Sequence, residues 1–207
     1  MQIVRDTDTL PKHSTVAAIG MFDGVHLGHL TLIDEVKRIA AQRHLKSAVI
    51  TFAQHPQAVL RPDSDIKMLM TVPDKVAEIG RHGIDVTVLL NFTYELSLNN
   101  SRQFLQLLRD RYGVAVLVVG YDHRFGHDKS ETFADYVHHG KELGIDVVKA
   151  PEYLGEYAPV SSSIIRRLIA SGKVDDAMRC MGRPYTLSGK VVHGFHNGRG
   201  IGFPTAN

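Results

Sequence analysis

Two histidines, an aspartate and three glycines stand within ten residues: Gly20-Met21-Phe22-Asp23-Gly24-Val25-His26-Leu27-Gly28-His29. The apolar run Val16 to Ile19 leads into this stretch, and a helical pattern from Leu30 to Ala40 follows it. A strand, a tight turn and a helix start are therefore expected here, with the polar groups gathered where turn meets helix. The first N–H groups of a helix lack internal partners and its dipole favours an anion, so such a junction suits phosphate. Three residues apart, the two histidines lie on neighbouring faces of a first helical turn and can converge on one ligand. A nucleoside triphosphate is the ligand this chemistry would take. A purely structural turn with solvated histidines fits the same residues, and a glycine-rich turn by itself does not decide between the two.

Three more segments carry groups of chemical interest. Thr51-Phe52-Ala53-Gln54-His55-Pro56 closes an apolar run, so His55 stands either beside a ligand or as an ordinary polar loop residue. Gly120-Tyr121-Asp122-His123-Arg124-Phe125-Gly126 gathers a carboxylate, an imidazole, a guanidinium and two aromatic rings in one loop. An acid and a base so close can simply pair, but loops at a strand's end tend to carry function. Val160-Ser161-Ser162-Ser163-Ile164-Ile165-Arg166-Arg167 places three hydroxyls before a helix. One serine suffices as a cap; three, with an arginine a turn later, suit a phosphate clamp. Arg166 and Arg167 cannot face the same way, so one of them is expected in solvent. The twelve histidines show no metal-ligand spacing, and His138-His139 reads as an exposed helix face. A magnesium ion arriving with a nucleotide would need only one or two protein oxygens.

These segments need a scaffold, and the hydrophobic pattern supplies one. Strands are predicted at Thr15 to Gly20, Ser47 to Phe52, Asp85 to Leu90, Val114 to Gly120 and Ile145 to Ala150. Helices are predicted between them at Leu27 to Arg43, Pro73 to His82, Ser101 to Tyr112 and Glu131 to Leu143. Thr71 is a candidate N-cap, while Gly83, Gly113 and Gly144 are stops. Short, nearly continuous apolar strands alternating with helices predict an α/β fold, a doubly wound parallel sheet covered on both faces. Ligands bind beyond the carboxyl ends of the strands in such sheets, and that is where the polar clusters fall. Two shorter helices, Ser161 to Ala170 and Val174 to Met181, come next. Gly182-Arg183-Pro184 then breaks the pattern and marks a domain boundary. Tyr185 to Val192 alternates like a β-strand, and a glycine-rich stretch runs on to Pro204-Thr205-Ala206-Asn207. Residues 183–207 are too few to bury a core, since even ~40-residue domains usually need extra staples. They read as the opening of a second domain.

Composition narrows the classes. The chain has 207 residues, 43% hydrophobic content and a net charge of +2 without a concentrated basic run, so no nucleic-acid footprint is expected. No apolar run approaches membrane-spanning length, and polar residues follow Met1, so neither a membrane segment nor a secretion signal is expected. The single cysteine, Cys180, cannot form an internal disulfide; it reads as a buried structural thiol in a reducing, cytoplasmic setting.

Together the motifs resemble a known family. Gly20 to His29 looks like the HxGH-bearing signature of the nucleotidyltransferase superfamily in its GxFDGVHxGH form. With the Phe52 to Pro56, Gly120 to Gly126 and Ser161 to Arg166 segments, and Gly182-Arg183-Pro184-Tyr185, the chain resembles the bacterial bifunctional riboflavin kinase/FMN adenylyltransferases, the FAD synthetases. The tail to Asn207 is similar to the start of their riboflavin kinase domain, ending at its PTAN motif. The resemblance implies a Rossmann-like adenylyltransferase domain over residues 1–182 and the first strands of a truncated β-barrel kinase over 183–207. It implies adenylyl transfer from ATP to FMN, giving FAD and pyrophosphate, with Mg2+ as the cofactor and small molecules as the only partners. Residue by residue, it implies catalytic roles for His26, His29 and Arg166. It places ATP on Gly20, Met21, Phe22, Asp23, Gly24, Gly28, Ser161, Ser162 and Ser163. It assigns the flavin to His55, Asp122, His123, Arg124 and Phe125, and kinase magnesium to Thr205 and Asn207. Gln54 stands where the family usually has proline and Ser163 where it has threonine, which keeps the hydroxyl. The kinase carboxylate would lie beyond Asn207, so riboflavin phosphorylation is not expected of these residues alone. Other adenylyl- and cytidylyltransferases, aminoacyl-tRNA synthetases and a non-catalytic flavin module share parts of this pattern.

Overall fold

Valine- and isoleucine-rich segments can satisfy their backbone only by pairing, and here they pair in parallel. The computed structural model describes residues 1–121, 125–128, 130–192 and 197–202. Its strands are β1 (Gln2–Arg5), β2 (Thr15–Ile19), β3 (Lys46–Phe52), β4 (Val86–Leu90), β5 (Val114–Val119) and β6 (Asp146–Lys149). They form one sheet in the order β1-β4-β3-β2-β5-β6, with every pair parallel. From β2 the chain builds outward through β3 and β4 on one side, then crosses to β5 and β6 on the other. The order therefore reverses between β2 and β5, and the crevice for a ligand opens at their carboxyl ends.

The helices are α1 (Leu27–Arg43), α2 (Pro56–Leu60), α3 (Val72–Arg81), α4 (Tyr94–Ser97), α5 (Ser101–Tyr112), α6 (Phe133–Leu143), α7 (Ser162–Ala170), α8 (Val174–Met181) and α9 (Asn197–Gly200). Alternate strand residues feed two cores. Ala17, Ile19, Ile50, Val88 and Leu117 pack with Phe104, Leu108 and Tyr136 of α5 and α6. Val16, Ala18, Val49 and Val118 pack with Ile33, Val36 and Ile79 of α1 and α3. Helices thus cover both faces, as the continuous apolar strands require. A third cluster, Leu69, Ile165, Ala177, Cys180 and Met181, seats α7 and α8. Cys180 is buried there, and burial pushes its thiol above the usual range.

Helix ends follow their sequence signals closely. Gly113 closes α5 in the left-handed conformation (φ 61°), and a Cβ there would stand 1.9 Å from the Pro11 carbonyl oxygen. Asn100 opens the same helix: its side chain accepts the Gln103 N–H at 2.8 Å, and Gln103 Oε1 accepts the Asn100 N–H at 3.0 Å. Asn100→Ala is expected to cost about 1 kcal/mol. That lowers the melting temperature by roughly 2–4 °C for a chain of this size, read by calorimetry.

Two local expectations differ from the structure. β1 pairs at the sheet edge, yet only Val4 of its four residues is buried, so its sequence offers no period to read. Tyr185 to Val192 reads as a strand but joins no ladder among the described residues, and Leu187, Val191 and Val192 are exposed. A strand exists through its partners, and alternation alone cannot supply them.

Candidate active site

The β2–α1 turn is held in a costly shape. Phe22 (φ 50°) and Val25 (φ 40°) lie in the left-handed region that side chains avoid, Val25 against the added penalty of its β-branch. Gly24 (φ 84°) is required as well: a Cβ there would meet the Leu69 side chain at 2.7 Å. The turn leads into α1 through an unusual cap. His26 is the N-cap, and its Nδ1 accepts the His29 N–H at 3.3 Å; His29 Nδ1 accepts the His26 N–H at 3.4 Å. The two rings stack with centroids 3.6 Å apart, and Phe22 packs on His29 at 4.9 Å. Because each Nδ1 accepts, the proton of each neutral ring sits on Nε2. Each imidazole therefore presents an N–H donor in a fixed orientation. A Cβ on Gly28 would meet the His26 ring at 3.3 Å and the Val160 carbonyl oxygen at 3.7 Å, so its absence lets the backbone leading into α7 close on the cap.

The start of α7 faces the same space. Ser161 caps it, accepting the Ile164 N–H at 3.3 Å. The Ser162 hydroxyl donates to the Asp23 carbonyl oxygen at 2.8 Å, which ties the two helix starts together. Ser163 is exposed and its hydroxyl has no partner among the described residues. Arg166 faces inward while Arg167 is exposed. Arg166 donates through Nη2 to the Asp23 carboxylate at 2.5 Å and through Nε to the Lys67 carbonyl oxygen at 2.7 Å. Asp23 is fully buried and also accepts the Leu69 N–H at 3.0 Å.

A cavity of about 460 Å3 opens where these elements meet, at the carboxyl ends of β2 and β5. Such a volume suits a small molecule. Gly20, Met21, Phe22, His26, Gly28 and His29 line it from the turn. Ser161, Ser162, Ser163 and Arg166 line it from α7, and His55 from the end of β3. His55 caps α2, its Nδ1 accepting the Gln57 N–H at 3.1 Å. Burial, then the charge of Arg166, pushes its pKa below the usual value. It also lines an adjoining cavity of about 330 Å3, whose wall combines apolar Met68, Leu69, Met70, Val72 and Leu187 with polar Gln54, Thr71, Asp74 and Lys75.

Not every expected residue arrives at this cavity. Asp23 and Gly24 shape the turn from behind: Asp23 is committed to Arg166 and Leu69, and the Gly24 carbonyl oxygen accepts from Arg183 Nη2 at 2.7 Å. Phe125 is a core residue, stacked on Tyr136 at 4.2 Å, and does not line the cavity. The reason is that the Tyr136 hydroxyl donates to the Phe125 carbonyl oxygen at 3.1 Å and accepts its N–H at 3.3 Å, pinning this backbone into the α5–α6 layer. Asp122, His123, Arg124, Thr205 and Asn207 lie outside the described residues.

Two buried charges on α3 were not evident from sequence. Lys75 is 1% exposed and donates to the carbonyl oxygens of Phe52 (2.8 Å) and Met21 (3.2 Å). Glu78 lies 3.0 Å from Arg183 Nε as an ion pair, without hydrogen-bond geometry, and accepts from Arg81 at 2.6 Å. Burial works to raise the Glu78 carboxyl, but the Arg81 bond and the charges of Arg183, Arg81 and His82 outweigh it and hold it below the usual range. Among the described residues no group of three His, Cys, Asp or Glu is placed to hold a metal ion.

A parallel sheet with helices on both faces and a histidine-capped helix start at its switch point places the chain among the Rossmann-like α/β proteins. The chain belongs to the FAD synthetase family: residues 9–164 match that family's model. Residues 181–207 match the model of riboflavin kinase. The chain is 35% identical over 206 residues to a bifunctional riboflavin kinase/FMN adenylyltransferase of Listeria monocytogenes, covering 97% of this chain and 64% of that one. It is 36% identical to the protein of the same name from Bacillus subtilis, covering 93% and 61%. With the Escherichia coli K12 protein of that name it shares 30% identity, covering 100% and 67%. Among solved structures, one described as a macrolide-efflux protein from Streptococcus pneumoniae superposes with a TM-score of 0.85 at 28% identity, covering 100% of this chain and 68% of that one. No helix among the described residues of this chain is long and apolar enough to cross a membrane.

Proposed function

We propose that the chain transfers the adenylyl group of ATP to FMN, giving FAD and pyrophosphate, in the cavity between the starts of α1 and α7. The observation that carries this reading is the convergence of two helix N-termini, two stacked histidines with Nε2–H donors, and Arg166 on one space. Helix starts and fixed N–H donors favour an anion of high charge. The FMN phosphate attacks the α-phosphorus in line, the bond to the bridging oxygen breaks, and the pair of electrons leaves on pyrophosphate. That nucleophile is already anionic, so no general base is needed; positioning and charge stabilisation carry the rate. The adjoining cavity shares His55 with the first, and its mix of apolar and polar wall suits a flavin ring, which is itself apolar on its faces and polar at its edge. Mg2+ arriving with the triphosphate would take most of its oxygens from the nucleotide and water; Glu152 and the Ser163 hydroxyl are the oxygens at the cavity wall that suit it.

Residues 181–207 are proposed as the opening of a riboflavin kinase domain, with the boundary at Gly182-Arg183 and magnesium on Thr205 and Asn207 once that domain is complete. We assign the protein to the cytoplasm, without nucleic-acid partners. Incubation with ATP, Mg2+ and FMN is expected to yield FAD and pyrophosphate in equal amounts, followed by chromatography and a pyrophosphate assay. Absence of FAD, or product only with phosphopantetheine or a cytidine nucleotide, overturns the assignment.

A further inference from the structure

Lys75 is a lysine where an apolar residue would pack at lower cost. It follows Thr71 by one turn on α3 and points with Val76 and Ile79 toward the interior. Removing an ammonium from water is expensive unless its surroundings repay it. Both of its bonds go to backbone carbonyls and neither to a carboxylate. The two carbonyls are informative. Phe52 is the last residue of β3, three residues before His55. Met21 lies just past β2, at the entrance to the strained Phe22-Asp23-Gly24 turn. Thr51 Oγ1 donates to the same Met21 carbonyl oxygen at 2.9 Å. Lys75 thus fastens together the two chain segments that deliver His26, His29 and His55 to the cavity.

We propose that Lys75 is a positioning residue for adenylyl transfer, holding the Met21 and Phe52 carbonyls in register and setting positive charge behind the phosphate turn. The inference rests on the proposed reaction. Charged groups around it come from three elements: Asp23 in the turn, His55 at the start of α2, and Arg166 on α7, whose charge reaches His55. Burial lowers the Lys75 pKa to about 8, against a smaller opposing pull from Asp23. The sign of the linkage separates function from stability. Between pH 8 and the unfolded lysine value near 10.4 the unfolded chain binds more protons than the folded one, so this group makes stability rise with pH. If the charge serves the reaction, activity falls over the same window.

The test compares the chain with Lys75→Gln, which keeps two N–H donors without charge, and Lys75→Met, which keeps length alone. Expected are a wild-type kcat that falls about tenfold per pH unit above ~8, a Lys75→Gln profile flat from pH 8 to 10 with kcat at pH 7 lowered about tenfold, and a larger loss in Lys75→Met. Wild-type kcat in Lys75→Gln, or an alkaline limb unchanged in it, overturns the proposal. Where both variants fail to fold, lysine-selective isotope labelling of the wild type reads the Lys75 titration directly, and a midpoint apart from the activity limb overturns it. ATP binding by calorimetry requires no turnover: should the wild type make no FAD, the proposed reaction fails, while equal ATP affinity in wild type and Lys75→Gln from pH 7 to 9 would separately overturn the role of Lys75.

Discussion

His29→Ala lowers FAD formation by about 10²-fold or more, the loss expected when one fixed transition-state donor is removed. The geometry explains why the effect should exceed that of a lost surface contact. His29 does not stand alone: its Nδ1 accepts the N-cap N–H, its ring stacks on His26, and the Phe22 ring packs against it. The side chain is locked before substrate arrives, so its Nε2–H pays no ordering cost as charge builds on the departing pyrophosphate. His29→Gln can keep the capping geometry, because glutamine is a usual partner at that position of a helix start. It should therefore restore stability lost in the alanine variant without restoring the rate. Single-turnover FAD formation and thermal unfolding, measured side by side, separate the two contributions. Turnover within about threefold of wild type in His29→Ala would remove the histidine from the chemistry, a threefold change being under 1 kcal/mol.

The turn itself was legible because its residues do several things at once. Closely spaced glycines, a strand before and a helix after, and polar groups at the junction all point to one place in an α/β sheet. The helix boundaries at Leu27–Arg43, Ser101–Tyr112 and Val174–Met181 were legible from caps, glycine stops and period. Roles within the site were harder to read, because a short polar residue serves equally well to hold backbone or ligand. Ser162 spends its O–H on the Asp23 carbonyl oxygen, whereas Ser161 only accepts the Ile164 N–H, so the cap serine and Ser163 both keep a hydroxyl proton for the cavity. Phe125 sits in a loop that invited a ligand reading, yet Tyr136, distant by a whole loop and a helix turn, draws it into the core. Lys75 was hidden by its own helix: one of four charged residues on a ten-residue amphipathic segment looks like part of a solvated face until the sheet ends above it are placed. β1 and the Tyr185 to Val192 stretch show the same limit from opposite sides. Pairing is set by neighbours, and neither alternation nor its absence in four or eight residues specifies them.

Arg166→Met separates binding from scaffolding more sharply than any change in the serines. The substitution leaves the Asp23 carboxylate, 0% exposed, with only the Leu69 N–H as a described partner. An orphaned buried charge costs about 3–5 kcal/mol. Arg166 is itself 23% exposed, so water reaches the pair and the lower end applies. At ~3 kcal/mol the melting temperature should drop by roughly 6–12 °C. Losing the Nε bond to the Lys67 carbonyl also loosens the segment that leads to Leu69. Stability alone would then lower activity, so the single variant cannot say whether Arg166 meets substrate. Asp23→Asn in the same chain removes the orphaned charge while keeping an acceptor for the Leu69 N–H. The double variant should recover most of the lost stability, because replacing both partners of a buried pair is often near neutral. Its rate should stay down by about 10²-fold, since Arg166 lines the cavity with Ser163 and its described bonds use only Nε and Nη2. Recovery of FAD formation together with the melting temperature would instead make Arg166 a brace for the turn, with His26 and His29 left to carry the phosphate charge.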